Sequence, residues 1–242
     1  MEGILHNQLR NGNFTSSKIF ELCTSGKKAG ELSEKARKYI NKKNIERKLR
    51  RSLSLNKGSN ATRWGNFIEY RVHNLLGLGY ESIGNITFQH PSVSFWVGSP
   101  DLRNKTESVC GDIKCYEPEN FAEYLDVLYK NDTELFKKEY PKEYWQLVSN
   151  AIIIGMNYIE PIVYMPYESE LPEIREMVHE YDGEDIWKYR FIVESPISEL
   201  PYLPNDCKYY KNLNVIRFEV PQSDKDFLTE RVIEAGKLLI NI

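Results

Sequence analysis

Apolar side chains recur at helical spacing in the segment TRWGNFIEYRVHNLLGLGY, where Trp64, Phe67, Ile68, Val72, Leu75 and Leu76 fall on one stripe. The pattern predicts a buried helix with Thr62 as its N-cap, a stop at Gly77 and Gly79, and Glu69 at the edge of the apolar face. An earlier stripe of Leu32, Ala36, Ile40, Ile45, Leu49 and Leu53 predicts an amphipathic helix or helix pair, separated from the first by the loop composition NKGSNAT. After Gly79 the pattern changes to β-branched and aromatic runs. ITFQH, SVSFWVG and SVCGDIKCY read as three strands, separated by Pro91 and the polar LRNKTE.

From Pro118 to Gly155 the pattern is helical again, most apolar in YWQLVSNAIIIGM. EPIVYMP and KYRFIVES read as two further strands with the acidic ELPEIREMVHEYDGEDI as a helix between them. The chain closes on an amphipathic helix capped by Ser223 or Asp224. This order implies an α/β (α+β mixed) fold with a central mixed five-stranded sheet flanked by helices.

Composition adds an asymmetry. The net charge over 242 residues is −3, yet Lys27 to Arg63 holds 13 Lys or Arg against Glu31, Glu34 and Glu46, so this block is +10 and the remainder −13. Residues 1–61 therefore read as a basic helical N-terminal arm and 62–242 as the core. Lys42, Lys43, Arg47, Lys48, Arg50, Arg51 and Arg63 are the candidate contacts to a polyanion, with a solvated helix face as the equal alternative. No apolar run approaches the roughly 18 residues of a membrane span, and MEGILHNQLRNGNF lacks the features of a secretory signal, so an intracellular, cytoplasmic chain is expected. Cys23, Cys110, Cys115 and Cys207 have no paired spacing, and His6, His73, His90 and His179 are scattered, so neither set predicts a zinc site. Cys110 and Cys115 are expected on or beside the Ile113 side of their strand, where burial accounts for them.

The candidate chemistry lies in WVGSPDLRNKTESVCGDIKCY. Residues i and i+2 of a strand share a face, so Asp112 and Lys114 project together while Ile113 anchors in the core. Asp101, after Pro100 and across a hairpin, is within reach of the same point, and two carboxylates so placed suit one oxygen-preferring cation such as Mg²⁺ or Mn²⁺. The residues alone leave plainer readings open: Asp112 and Lys114 as a surface pair on an edge strand, Asp101 as a turn residue, Glu69 as an exposed helix residue, Gln146 as a satisfied core amide.

SPD followed by GDIKC resembles the PD-(D/E)XK nuclease signature, with Asp101 and Asp112 as the acids and Lys114 as the lysine. With RWGNFIEYRV upstream and YWQLVSNAIIIG downstream, the chain over roughly 62–165 resembles the lambda-exonuclease-like (YqaJ-type) phage recombination nucleases. Two departures stand out: the second acid is Asp where Glu is commoner, and Leu102 replaces the glycine that often follows PD. The resemblance implies a restriction-endonuclease-like core and a catalytic set of Glu69, Asp101, Asp112, Lys114 and Gln146. Asp101, Asp112, the Ile113 carbonyl and Glu69 would hold Mg²⁺ or Mn²⁺, and the reaction would be hydrolysis of DNA phosphodiesters, most of all from duplex ends. It further implies a homo-oligomer, a single-strand annealing protein as partner, and a phage or bacterial cytoplasm. Some relatives carry an iron–sulfur cluster on four cysteines, three near the C-terminus; only Cys207 lies there, so no cluster is expected. A sequence- or structure-selective endonuclease, or a DNA-binding protein whose site has decayed, are the competing functions.

Overall fold

The computed structural model describes residues 9–26, 31–53 and 58–241. His6, Lys27, Lys28, Lys57 and most of the expected signal-free N-terminus lie outside these. The apolar stripe of the first core helix becomes α3 (Asn60–Leu76), after the short α1 (Phe20–Cys23) and the basic α2 (Glu34–Leu49). Its N-cap is Ser59, not Thr62: the Ser59 hydroxyl accepts from the Thr62 N–H at 3.2 Å, one of the donors a helix start leaves free. Gly77 closes the helix at φ 78°, a conformation that favours glycine.

Nine strands form two sheets among the described residues. β1 (Phe14–Thr15), β4 (Trp96–Gly98) and β3 (Phe88–Gln89) make the smaller, in the order β1-β4-β3. The central sheet runs β2 (Glu81–Ser82), β5 (Leu102–Asn104), β6 (Val109–Lys114), β7 (Tyr158–Tyr164), β8 (Leu213–Val215), with β9 (Phe218–Glu219) also on β7. It is mixed, since β6 and β7 are parallel from Val109↔Tyr158 to Lys114↔Val163 while their other pairings are antiparallel. The parallel pair needs a long crossover, supplied by α4 (Pro118–Leu128), α5 (Thr133–Glu139) and α6 (Pro141–Ile154).

β7 is buried along nearly its whole length, as a central strand should be, yet it contains Pro161. Proline has no N–H for a ladder, and Pro161 sits where β7 changes partner: Tyr158 and Ile159 pair with β9, Ile162 to Tyr164 with β8. On one face of the sheet α3 packs Trp64, Phe67, Ile68 and Val72 against Leu102, Ile113 and Ile162. On the other, α6 packs Leu147, Val148 and Ala151 against Cys110, Ile159 and Val163. Gly111 permits the first contact, because a Cβ there would lie 2.1 Å from Leu102 Cδ1.

Several expectations change. Five strands were expected and the central sheet has six, of which only β6 lies within an expected run and β7 overlaps one. SVSFWVG and ITFQH contribute to the smaller sheet, and LRN, expected as a turn, is β5. KYRFIVES is helical, with a turn at Ile186–Lys188 and α8 (Arg190–Glu194) after α7 (Leu171–Glu180). Its alternating Tyr189, Phe191 and Val193 are only half-buried, while Ile192 between them is the fully buried residue, and a run this short does not fix its own period. Cys110 faces α6 with Asp112 parity rather than the Ile113 side.

The N-terminal segment is no detached arm over its described residues. Phe14, Ile19, Leu22, Leu32, Ala36, Tyr39 and Ile40 join the same core as α6, so a boundary at 61/62 would cut through packed side chains. Burial on α2 follows Ala36, Tyr39, Ile40, Lys43 and Glu46, and Leu49 and Leu53 are exposed. No helix among the described residues is long and apolar enough to cross a membrane.

The closing helix α9 (Gln222–Gly236) begins behind Pro221, so neither Ser223 nor Asp224 caps it. Asp224 is instead buried, accepting from Lys137 Nζ and from the Tyr144 hydroxyl, both at 2.6 Å, and so ties α9 to α5 and α6. Asp224→Ala leaves the Tyr144 hydroxyl without its acceptor and Lys137 with only its looser 3.7 Å pair to Glu134, and should lower the unfolding free energy by about 2 to 4 kcal/mol in urea titration; a loss under about 0.5 kcal/mol would show that the tie is not structural.

Candidate active site

β6 ends in the sequence Gly111-Asp112-Ile113-Lys114, and its alternation divides the work between the two faces. Ile113 enters the α3 cluster, while Asp112 and Lys114 turn toward α6. Asp112 is only 2% exposed, and both its oxygens are engaged: Oδ2 with the Lys114 ammonium, Oδ1 with the Gln146 amide at 2.6 Å. A carboxylate this deep costs free energy unless donors surround it, and these two supply that.

Asp101 immediately precedes β5, on the other arm of the hairpin. Its Oδ2 accepts the Ile113 backbone N–H at 2.7 Å, a bond that sets the carboxylate against the end of β6. Burial, then the charges of Asp112 and Glu69, hold the Asp101 carboxyl well above the ordinary range. Lys114 shifts the opposite way from a lone buried amine: burial pulls its pKa down, but Asp112, Tyr116 and Asp101 outweigh that and keep it protonated.

Glu69 reaches the same place from α3. Its Oε1 is 3.7 Å from His73 Nε2 one turn on, and it lies so near Gly84 that a Cβ there would approach to 3.1 Å. Glu69, Asp101, Asp112, Ile113, Lys114 and Gln146 thus line one cleft of about 490 Å³. The three elements converge because α3 and α6 cover opposite faces of one parallel pair, and each presents a polar residue, Glu69 from the middle of α3 and Gln146 from the first half of α6, at the end of β6.

Other residues of the cleft escaped the sequence reading. Glu143 precedes Gln146 by three positions on α6, Tyr116 follows Lys114 by two, and Glu117, Asn120 and Lys142 complete that wall. Helical spacing from Gln146 would have singled out Glu143. The cleft counts five acidic side chains, Glu69, Asp101, Asp112, Glu117 and Glu143, against the ammonium groups of Lys114 and Lys142.

The donor set fits a hard divalent cation: carboxylates and a backbone carbonyl, no thiolate or imidazole in the inner group. Among the described residues, no three His, Cys, Asp or Glu side chains stand grouped at ligating distance, and the Asp112 oxygens are held by Lys114 and Gln146. A cation held by Asp112 would have to displace the Lys114 ammonium or the Gln146 amide from it.

The basic candidates separate into two groups. Lys42, Lys48, Arg50 and Arg51 are exposed on α2 and its C-terminal turn. Lys43 is buried in a pair with Glu46 at 2.9 Å, and Arg47 donates to the carbonyls of Gly12 and Ile240 and to the Asn13 side chain, so these two hold the fold together. Arg63, half-buried, lies over the ring of Trp187.

The raised Asp101 pKa has a sign that can be tested. Its stabilising contribution is complete below the unfolded carboxylate value near 3.9 and is lost as pH rises through the higher folded value, so the ionised group weakens the cation-free protein at neutral pH. Asp101→Asn, which keeps an acceptor for Ile113, should raise the thermal midpoint in EDTA at pH 8, with the gain shrinking toward pH 4; an equal or lower midpoint at pH 8 would refute the crowding.

No protein-family model matches the sequence, and no curated protein matches it. Solved structures do. A phage-related exonuclease from Haemophilus somnus 129PT superposes with TM-score 0.62 at 15% identity, covering 96% of each chain. The alkaline exonuclease LHK-Exo from Laribacter hongkongensis gives TM-score 0.59 at 13% identity, over 95% of this chain and 89% of its own. The same LHK-Exo in complex with dAMP gives TM-score 0.54 at 14% identity. Likeness over nearly the whole of each chain shows that this chain has the fold of these exonucleases, a mixed sheet flanked by helices.

Proposed function

We propose that the protein is a metal-dependent DNA nuclease that hydrolyses phosphodiester bonds, acting as an exonuclease on double-stranded ends. The observation that carries this reading is the convergence of Glu69, Asp101, Asp112, Lys114 and Gln146 on one cleft, from four separate stretches of chain. Exonucleases with this fold, one of them bound to a deoxynucleoside monophosphate, support the substrate class.

Charge supports the metal requirement. A cleft with five acidic side chains and two ammonium groups stays net negative even with Asp101 protonated and repels a phosphodiester, so a polyanion can enter productively only with a cation that reverses the local sign. Asp101, Asp112 and the Ile113 carbonyl would hold Mg²⁺ or Mn²⁺, with Glu69 completing the shell. When bound, the ion supplies an acidified water and positive charge at the phosphate. Lys114, kept protonated by its acidic neighbours, orients the attacking water and offsets charge developing on the phosphate oxygens. Gln146 fixes Asp112 through its amide, keeping the carboxylate aimed into the cleft. The exposed Lys42, Lys48, Arg50 and Arg51 bind the duplex backbone away from the cleft, which makes affinity depend on salt.

Incubation with matched linear and covalently closed plasmid, in Mg²⁺ and in EDTA, tests this directly. Linear DNA alone should be degraded, only with the metal, and Asp112→Ala should slow the reaction at least ~100-fold. Loss of both plasmid forms would replace the exonuclease with an endonuclease; a folded protein that binds DNA and cuts neither would leave a binding protein. Arg50→Glu with Arg51→Glu should weaken DNA binding and flatten its salt dependence without altering the cleft; unchanged binding would return these residues to a solvated helix face.

A further inference from the structure

A second pocket, of about 350 Å³, lies between the turn Ser16–Lys18 and one face of α2. Its lining sets five ammonium groups, Lys18, Lys35, Lys38, Lys42 and Lys43, against the carboxylates of Glu21 and Glu46. Lys35, Lys38 and Lys42 follow one another at steps of three and four residues, so α2 carries a row of like charges on a single face, which costs a helix stability. The acids do not offset it. Glu46 is committed to the buried Lys43 ammonium at 2.9 Å and to the Gly12 N–H at 3.1 Å, Glu21 reaches Lys35 only at 3.7 Å, and the Lys38 pair with Glu34 is exposed on both sides. Lys18 and Lys42, both exposed, have no ion pair or hydrogen bond among the described residues.

Arg10 joins this pocket to the catalytic cleft. Its Nη1 donates to Ser99 Oγ at 2.9 Å, two positions before Asp101; its Nη2 donates to Ser17 Oγ at 3.4 Å, next to Lys18; and its carbonyl accepts from Lys43 Nζ at 3.5 Å. These bonds hold the lysines at a set distance from Asp101. A concave group of unpaired ammonium ions suits phosphate oxygens, which a flexible lysine meets as a point charge. Duplex DNA carries such phosphates at regular intervals, and each one neutralised by a lysine releases condensed counterions. We propose that this pocket holds a backbone phosphate of the DNA whose end lies in the cleft, with Lys18 and Lys42 as its principal contacts, and so sets how far the duplex enters. The inference rests on the nuclease reading above and adds to it a phosphate site at a fixed distance from the scissile bond.

The experiment is single-turnover cleavage in Mg²⁺, with protein below saturation, of hairpin duplexes that have one open end and carry a single uncharged methylphosphonate in place of one phosphate. Methylphosphonates in one short window, at a constant distance from the first scissile bond, should slow the wild-type protein about 3- to 10-fold. Lys18→Ala with Lys42→Ala, both at exposed positions, should weaken binding of the unmodified duplex, reduce the slope of its log affinity against log salt by about one to two, and abolish the effect within that window while effects elsewhere remain. No window, or a window undiminished in the variant, would overturn the site alone. Calorimetric titration with inorganic phosphate and with dAMP tests the other source of the same chemistry: binding of either one, lost in the variant, with no window on DNA, would make this a free-anion pocket and overturn the backbone assignment. Failure to cleave any duplex would overturn the nuclease reading and the site with it.

Discussion

The structure turns on carboxylates forced together at the end of one strand. Asp112 is buried with its oxygens divided between an ammonium and an amide, and burial, reinforced by the charges of Asp112 and Glu69, pushes the Asp101 carboxyl well above the ordinary range. Nothing in the packing of a core requires this. Replacement of such a cluster by apolar side chains would ordinarily be neutral or favourable to stability, so its presence is a cost that packing does not explain.

How the fold does so follows from the parallel β6–β7 pair. Ile113 and Ile162 anchor one face under α3, Cys110, Ile159 and Val163 anchor the other under α6, and the six-residue register prevents β6 from sliding. A slip by one residue would carry Asp112 and Lys114 to the α3 side and Ile113 to the other. The Asp101 bond to the Ile113 N–H fastens the hairpin to the same point. Rigid strands and two long helices, rather than loops, therefore set most of the distances in the cleft.

What could be read in the sequence was local and periodic. The α3 stripe, the strand alternation of Asp112, Ile113 and Lys114, and the apolar helix carrying Gln146 all had enough length for their period to show. Short elements did not. LRN is a strand because Leu102 drops into the space left by Gly111, a contact invisible along the chain, and KYRFIVES became helical because Ile192 had a buried place to fill. The basic block misled in another way: charge counts treat Lys43 and Arg47 like Lys42 and Lys48, whereas Glu46 and the carbonyls of Gly12 and Ile240 claim the first two. Those partners lie up to 193 positions away, and only folding brings them near.

The central claim is that the crowded carboxylates form a cation site, and calorimetric titration of Mn²⁺ into the wild-type protein and Asp112→Ala tests it without DNA or turnover. Saturable binding heat in the wild type, lost in the variant while its circular dichroism spectrum is unchanged, is the predicted result. Equal heats in the two proteins, or none in the folded wild type, would contradict it.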